Sequence, residues 1–71
     1  MKYRFGPDFL RAVRARGLTA QELASLAMVS PATAAAALRG HDVQIATAVR
    51  LARAVTAMPV VAALDEWSAL E

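Results

Sequence analysis

Signals that stop and start helices recur at short intervals along this chain, and they set the length of every element it can build. Gly6-Pro7 opens the first segment. Proline is tolerated in a first helical turn, where its missing N–H has no intrahelical partner anyway. Asp8 favours that start electrostatically. Gly17 is the natural stop, because glycine takes a left-handed cap without steric cost. Thr19-Ala20-Gln21-Glu22 fits a capping box, in which the Thr hydroxyl caps the start and the Glu reaches back. Ser30-Pro31 repeats the cap-then-proline logic, and Gly40 ends that segment. Asp42 is expected to cap a fourth helix from Val43 or Gln44 to about Ala57, and Pro59 to start a fifth. Connections this short belong to a compact bundle.

Apolar residues fall at helical spacing within those segments. Phe9 or Leu10 pairs with Val13 in the first, and Leu23 and Ala24 with Leu26 or Ala27 in the second. Leu38 is expected to face the core from the third. The fourth offers an inward stripe of Ile45, Ala48, Val49, Ala52 and Val55, and the fifth carries Val60, Val61, Leu64 and Trp67. The hydrophobic fraction is 58%, but alanine supplies much of it, and alanine favours helix intrinsically. The expected fold is all-α: one domain over residues 1–71, a compact bundle of about five short helices. A chain of this size buries only about 60% of its unfolded surface, so its stability should be marginal.

Composition narrows the chemistry. There is no cysteine, which excludes disulfides and thiolate metal sites. The single histidine, His41, cannot build a metal site without carboxylate help, so neither metal nor cofactor is expected. No His/Asp/Ser or paired-carboxylate arrangement comes together at helical spacing, so an enzyme is not expected. The apolar stretches are alanine-rich and too short for a membrane span. The segment "MKYRFGPDF" lacks the apolar core of a secretory signal. The expectation is a soluble cytoplasmic protein without a membrane partner. Net charge is only +2, but Lys2, Arg4, Arg11, Arg14 and Arg16 crowd the front while Asp65, Glu66 and Glu71 close the chain. Such asymmetry suits one face turned toward a polyanion, and equally suits charges that solvate exposed helix faces.

Two short helices joined by a turn of about three residues, the second led by Ser, define a helix-turn-helix layout over residues 19–40. "LASLAMVSPAT" (Leu23 to Thr33) with "LRG" (Leu38 to Gly40) resembles the headpiece of Lac-repressor-family regulators. The flanks, "DFLRAVRARGLTAQELA" before and "IATAVRLARAV" after, resemble the lambda-repressor-like, Cro/XRE class of DNA-binding domains, over residues 8–57. The resemblance implies a small repressor-type transcription regulator of bacterial, phage or plasmid type, which docks its third helix in the major groove of double-stranded DNA. The base-contacting positions it carries over are Pro31, Ala32, Ala35 and Ala36. Two departures stand out. Met28 holds the turn position usually taken by glycine, where a left-handed backbone is commonly needed. Alanines occupy Ala34 to Ala37, where polar base readers would stand.

Backbone contacts would then carry the binding. Ser30 and Thr33 offer hydroxyls, the starts of the second and third helices offer amides, and Arg39 and His41 sit just past the third helix. Lys2, Tyr3 and Arg4 are candidates for a basic N-terminal arm, residues 1–6, reaching a neighbouring groove. Alanine methyls can pack on thymine methyls, a weak readout. Plainer roles stand beside these: Ser30 as a helix cap, Thr33 as an exposed hydroxyl, Arg39 at a helix C-terminus, His41 in a polar loop, and a disordered arm. The C-terminal helix, residues 59–70, has Val61, Leu64, Trp67 and Leu70 as a candidate homodimer contact, with core packing as the other role for Trp67. An alternative function is a protein–protein interaction module, with a partner helix packed on the alanine-rich third helix.

Overall fold

The first three helices end in the same way. The computed structural model describes residues 1–67 and Ala69. Chain order is β1 (Lys2–Tyr3), α1 (Pro7–Ala15), α2 (Ala20–Ala27), α3 (Pro31–Leu38), β2 (Val43–Gln44), α4 (Ile45–Ala57) and α5 (Ala62–Trp67). Past α1, Gly17 is left-handed (φ 71°), its amide donates to the Arg14 carbonyl at 3.0 Å, and the Leu18 amide donates to Val13 at 3.2 Å. Past α3, Gly40 (φ 78°) donates to Ala37 at 3.1 Å and His41 to Ala36 at 3.0 Å. This pair of reversed bonds is the Schellman closure, which satisfies carbonyls that a helix end otherwise leaves open. Past α2 the same closure is made by Met28: its amide reaches Ser25 at 3.3 Å and the Val29 amide reaches Ala24 at 3.0 Å. Met28 takes φ 60° and ψ 44°, the left-handed well expected of it.

Helix starts also follow local chemistry. Pro7 and Pro31 each stand in the first turn of their helices. The capping box is complete: the Glu22 amide donates to Thr19 Oγ1 at 3.1 Å, and the Thr19 amide donates to Glu22 Oε1 at 3.0 Å. Ser30 Oγ accepts from the Thr33 amide at 3.1 Å.

Packing centres on α2, which lies against both α3 and α4. Leu23, Leu51 and Val13 are the largest fully buried side chains. Around them, five of the twelve core residues among those described are alanines: Ala24, Ala27, Ala34, Ala37 and Ala48. Small side chains let the helix backbones approach closely, so a few leucines, valines and phenylalanines suffice to fill the centre. Phe5 and Phe9 stack at a centroid distance of 3.8 Å and close the core at its N-terminal side. Leu38 is half-buried and packs on the same cluster.

The chain departs from the helical reading in four places. First, the fold is mostly helical but not all-α. Tyr3 pairs with Val43 and Lys2 with Gln44 in a small antiparallel sheet, and the Ile45 amide donates to the Met1 carbonyl at 3.0 Å. Second, Asp42 does not cap α4. That helix starts at Ile45 with Gln44 as its cap residue and no side-chain cap bond, because β2 occupies the two preceding positions. Third, the inward face of α4 is Ala48, Leu51 and Val55; Ile45, Val49 and Ala52 are exposed. Apolar residues surround this helix, so several stripes fit the period, and Leu51, its widest buried side chain, falls outside the expected stripe. Fourth, α5 begins at Ala62, not at Pro59. Met58 is extended, and the backbone between is tied to α1: Arg16 Nε donates to the Met58 carbonyl at 2.9 Å, and the Val61 amide donates to Ala15 at 2.8 Å. In α1 and α2 the open alternatives resolve to Phe9 and Ala27; Leu10 is half-buried and Leu26 is exposed.

Because Met28 pays the left-handed penalty with a side chain 81% exposed, Met28→Gly should stabilise the fold. The expected gain is about 0.5–1 kcal/mol, the Cβ penalty being partly offset by the greater freedom of glycine in the unfolded chain. Urea denaturation of the two chains measures it, and a loss of stability would show that the methionine side chain contributes more than its exposure implies.

Candidate nucleic-acid interface

Helix α3 turns Ala34 and Ala37 fully into the core. Its outer side is therefore built from what remains: Ser30, Pro31 and Ala32 are exposed, and Thr33, Ala35 and Ala36 are half-buried. Within α3 itself Thr33 is the residue of that side with a side-chain hydrogen-bonding group, and Ser30 adds its hydroxyl at the cap. The helix thus presents a low ridge on which backbone, not side chains, would set the distance to a docked surface.

Polar groups sit at the two ends of the ridge. At its start, Ser30 Oγ and Thr33 Oγ1 lie 2.7 Å apart. Two hydroxyls in contact share one proton between them and leave the other proton directed elsewhere, so one donor stays available to an incoming acceptor. At its end, Arg39 and His41 are exposed on either side of Gly40. The closure at Gly40 fixes this arrangement: a Cβ there would lie 3.6 Å from the Phe5 carbonyl, and the positive φ disfavours any side chain.

Lys2 and Arg4 are placed near this end by the sheet. Gly40 approaches Phe5, and β1 pairs with β2 just beyond His41 and Asp42. Residues 1–6 are accordingly no free arm: the backbone of Lys2 and Tyr3 is paired, and Phe5 is buried. The Arg4 guanidinium is also engaged, with Nε 2.9 Å from Asp42 Oδ1. Both partners are well exposed, so the pair stabilises the fold little, but it places a carboxylate within the basic rim. Elsewhere at the basic front, Arg11 pairs with Asp8 at 3.1 Å, and Arg16 is spent on the carbonyls of Ala12 and Met58. Among the described residues Lys2, Arg14, Arg39, Arg50 and Arg53 have no ion-pair partner.

The structure therefore brings Ser30, Pro31, Ala32, Thr33, Ala35 and Ala36 onto one helix side, with Arg39 and His41 past its C-terminal end and Lys2 and Arg4 tied in through the sheet. Leu64 and Trp67 lie on α5 and Val61 just before it, all exposed, which removes the core role for Trp67; Leu70 lies outside the described residues. Asp42 is the residue of this region that sequence reasoning misassigned. An Asp directly after a Gly-His turn carries no local sign that its partner is 38 residues away. No group of histidines, cysteines or carboxylates suited to a metal ion occurs among the described residues, and no helix there is long and apolar enough to cross a membrane. Comparison with family models, with characterised proteins and with solved structures finds no match to this chain.

Two outcomes follow from the cap and rim geometry. Thr19→Ala and Ser30→Ala should each cost about 1 kcal/mol of stability through lost capping. If the ridge binds phosphate, Ser30→Ala should weaken DNA binding beyond that loss while Thr19→Ala should not; paired melting and titration measurements separate the two. Asp42→Asn removes the carboxylate and releases Arg4, so it should tighten binding to duplex DNA and steepen its salt slope by about one unit. Equal affinity of this variant and the wild type would show that the rim around Asp42 stays clear of the phosphates.

Proposed function

We propose that this protein is a small DNA-binding transcription regulator of the lambda-repressor-like helix-turn-helix kind, acting as a homodimer on double-stranded DNA. The observation that carries the reading is α3 itself: a helix capped by Ser30, reached through a left-handed turn from α2, with a low outer side between hydroxyls and a basic end. In this reading α3 enters the major groove. Ser30 or Thr33 and the Ala32 amide hold a phosphate at one end, and Arg39, with His41 and Lys2, meets the backbone at the other.

Such a helix reads little sequence directly. Pro31, Ala32, Ala35 and Ala36 offer only apolar contact, which suits thymine methyls. Each missing bidentate pair forfeits about 1–3 kcal/mol of discrimination. Specificity then comes from the shape of the DNA and from pairing two half-sites about one helical turn apart. The same lack of donors favours a second reading, in which α3 receives a partner helix; the narrowness of its exposed side counts against it, since Ala35 and Ala36 are half-buried.

The test is electrophoretic titration of random-sequence duplex at low and moderate salt. About six to eight phosphates neutralised per dimer give a log–log slope near −5 to −7, with modest preference for any one site. Absence of binding even at about 50 mM salt, where backbone contacts are strong, would overturn the DNA reading and leave the protein-partner one.

A further inference from the structure

Among the described residues, two of the uncovered apolar surfaces are complementary in charge. One is an open groove of about 430 Å³ between the end of α2 and the outer side of α4, lined by Leu26, Ala27, Met28, Ala54 and Ala57 with Arg50 and Arg53. Leu26 and Met28 are exposed there despite being large and apolar. Neither arginine has an ion-pair partner among the described residues. The other surface is α5. It reaches its own chain at α1, where Leu64 lies against Gly17, yet it leaves Trp67 80% exposed, together with Val61 and part of Leu64. Beside that tryptophan the sequence places Asp65 and Glu66, with Glu66 exposed.

We infer that α5 of one copy docks in the α2–α4 groove of a second copy, with Trp67 over Leu26 and Met28 and Glu66 facing Arg50 and Arg53. A two-fold pairing applies the contact twice, because each copy offers one groove and one helix. Indole and methionine suit each other: the thioether packs on aromatic surface, and tryptophan brings large area with few torsions to immobilise. The arginines also discriminate, since they favour an acidic helix end and repel a basic one. No polar side chain is buried in the described chain, so nothing in the groove is built to orient a small polar ligand. The inference rests on the pairing in the reading above and not on its DNA contact.

Sedimentation of the full chain without DNA, from low to high micromolar concentration, tests it. Arg53→Glu and Glu66→Arg each place like charges at both contacts of a homodimer, and each should raise the dimer Kd roughly tenfold or more. Trp67→Ala should do at least as much. Mixed together, the Arg53→Glu and Glu66→Arg chains should recover association to near the wild-type level, because the heterodimer has one native contact and one with its charges exchanged. Both altered residues are exposed, so at concentrations where the wild type is monomeric the thermal melts of the two variants should match it. A wild type that stays monomeric throughout overturns the inference. So do an Arg53→Glu chain that associates normally, which would assign the dimer to another surface and leave the regulator reading standing, and a mixture that fails to recover.

Discussion

Gly17, Met28 and Gly40 each stand in the left-handed well one or two residues past a helix, and at each the local amides turn back onto carbonyls of the last turn. The bundle depends on these closures. A helix of eight or nine residues has little cooperative stability alone, so α1 to α3 persist because their open ends are satisfied and their apolar sides are brought together at once. The closures also aim the chain. After α2 the turn through Met28 lays α3 back against α2, and that contact seals Ala34 and Ala37 against Ala24 and Ala27 in one cluster.

The alanine content decides what that cluster can do. With five alanines in a core of twelve residues, the large side chains must be central, and Leu23, Leu51 and Val13 are fully covered. Their burial is the main apolar stabilisation in so small a chain, and it leaves other large apolar residues over. Leu26, Met28, Val61, Leu64 and Trp67 remain at the surface. The same economy that makes the helices approach each other thus leaves apolar surface for another molecule.

On α3 these two consequences meet. Alanines face inward because packing demands small residues, and alanines face outward where a reader of bases would carry longer ones. The polar contribution to the candidate interface is displaced to the ends of the helix: the Ser30–Thr33 hydroxyl pair at one, Arg39 and His41 at the other. Asp42 then moderates the positive end by holding Arg4. An interface of this composition depends on the placement of the backbone more than on side-chain reach, so the turn at Met28 and the closure at Gly40 bear directly on it.

Chain-local chemistry determined the limits of α1, α2 and α3. Gly17 and Gly40 stop helices by backbone freedom, Thr19 with Glu22 and Ser30 start them through bonds three residues long, and the left-handed Met28 follows from its place in the turn. The ridge positions Pro31, Ala32, Ala35 and Ala36 were legible only through the resemblance to helix-turn-helix regulators, because a cap sets where a helix starts and not which face it buries. Tertiary structure alone decided the rest, because its determinants lie far apart in the chain. The β1–β2 pairing and the Arg4–Asp42 pair join residues about forty positions apart, and no local pattern distinguishes an Asp that caps from an Asp that meets such a partner. The inward face of α4 was undetermined for a different reason: when apolar residues surround a helix, periodicity allows several faces, and only the fit of Leu51 beside Leu23 and Val13 selects one.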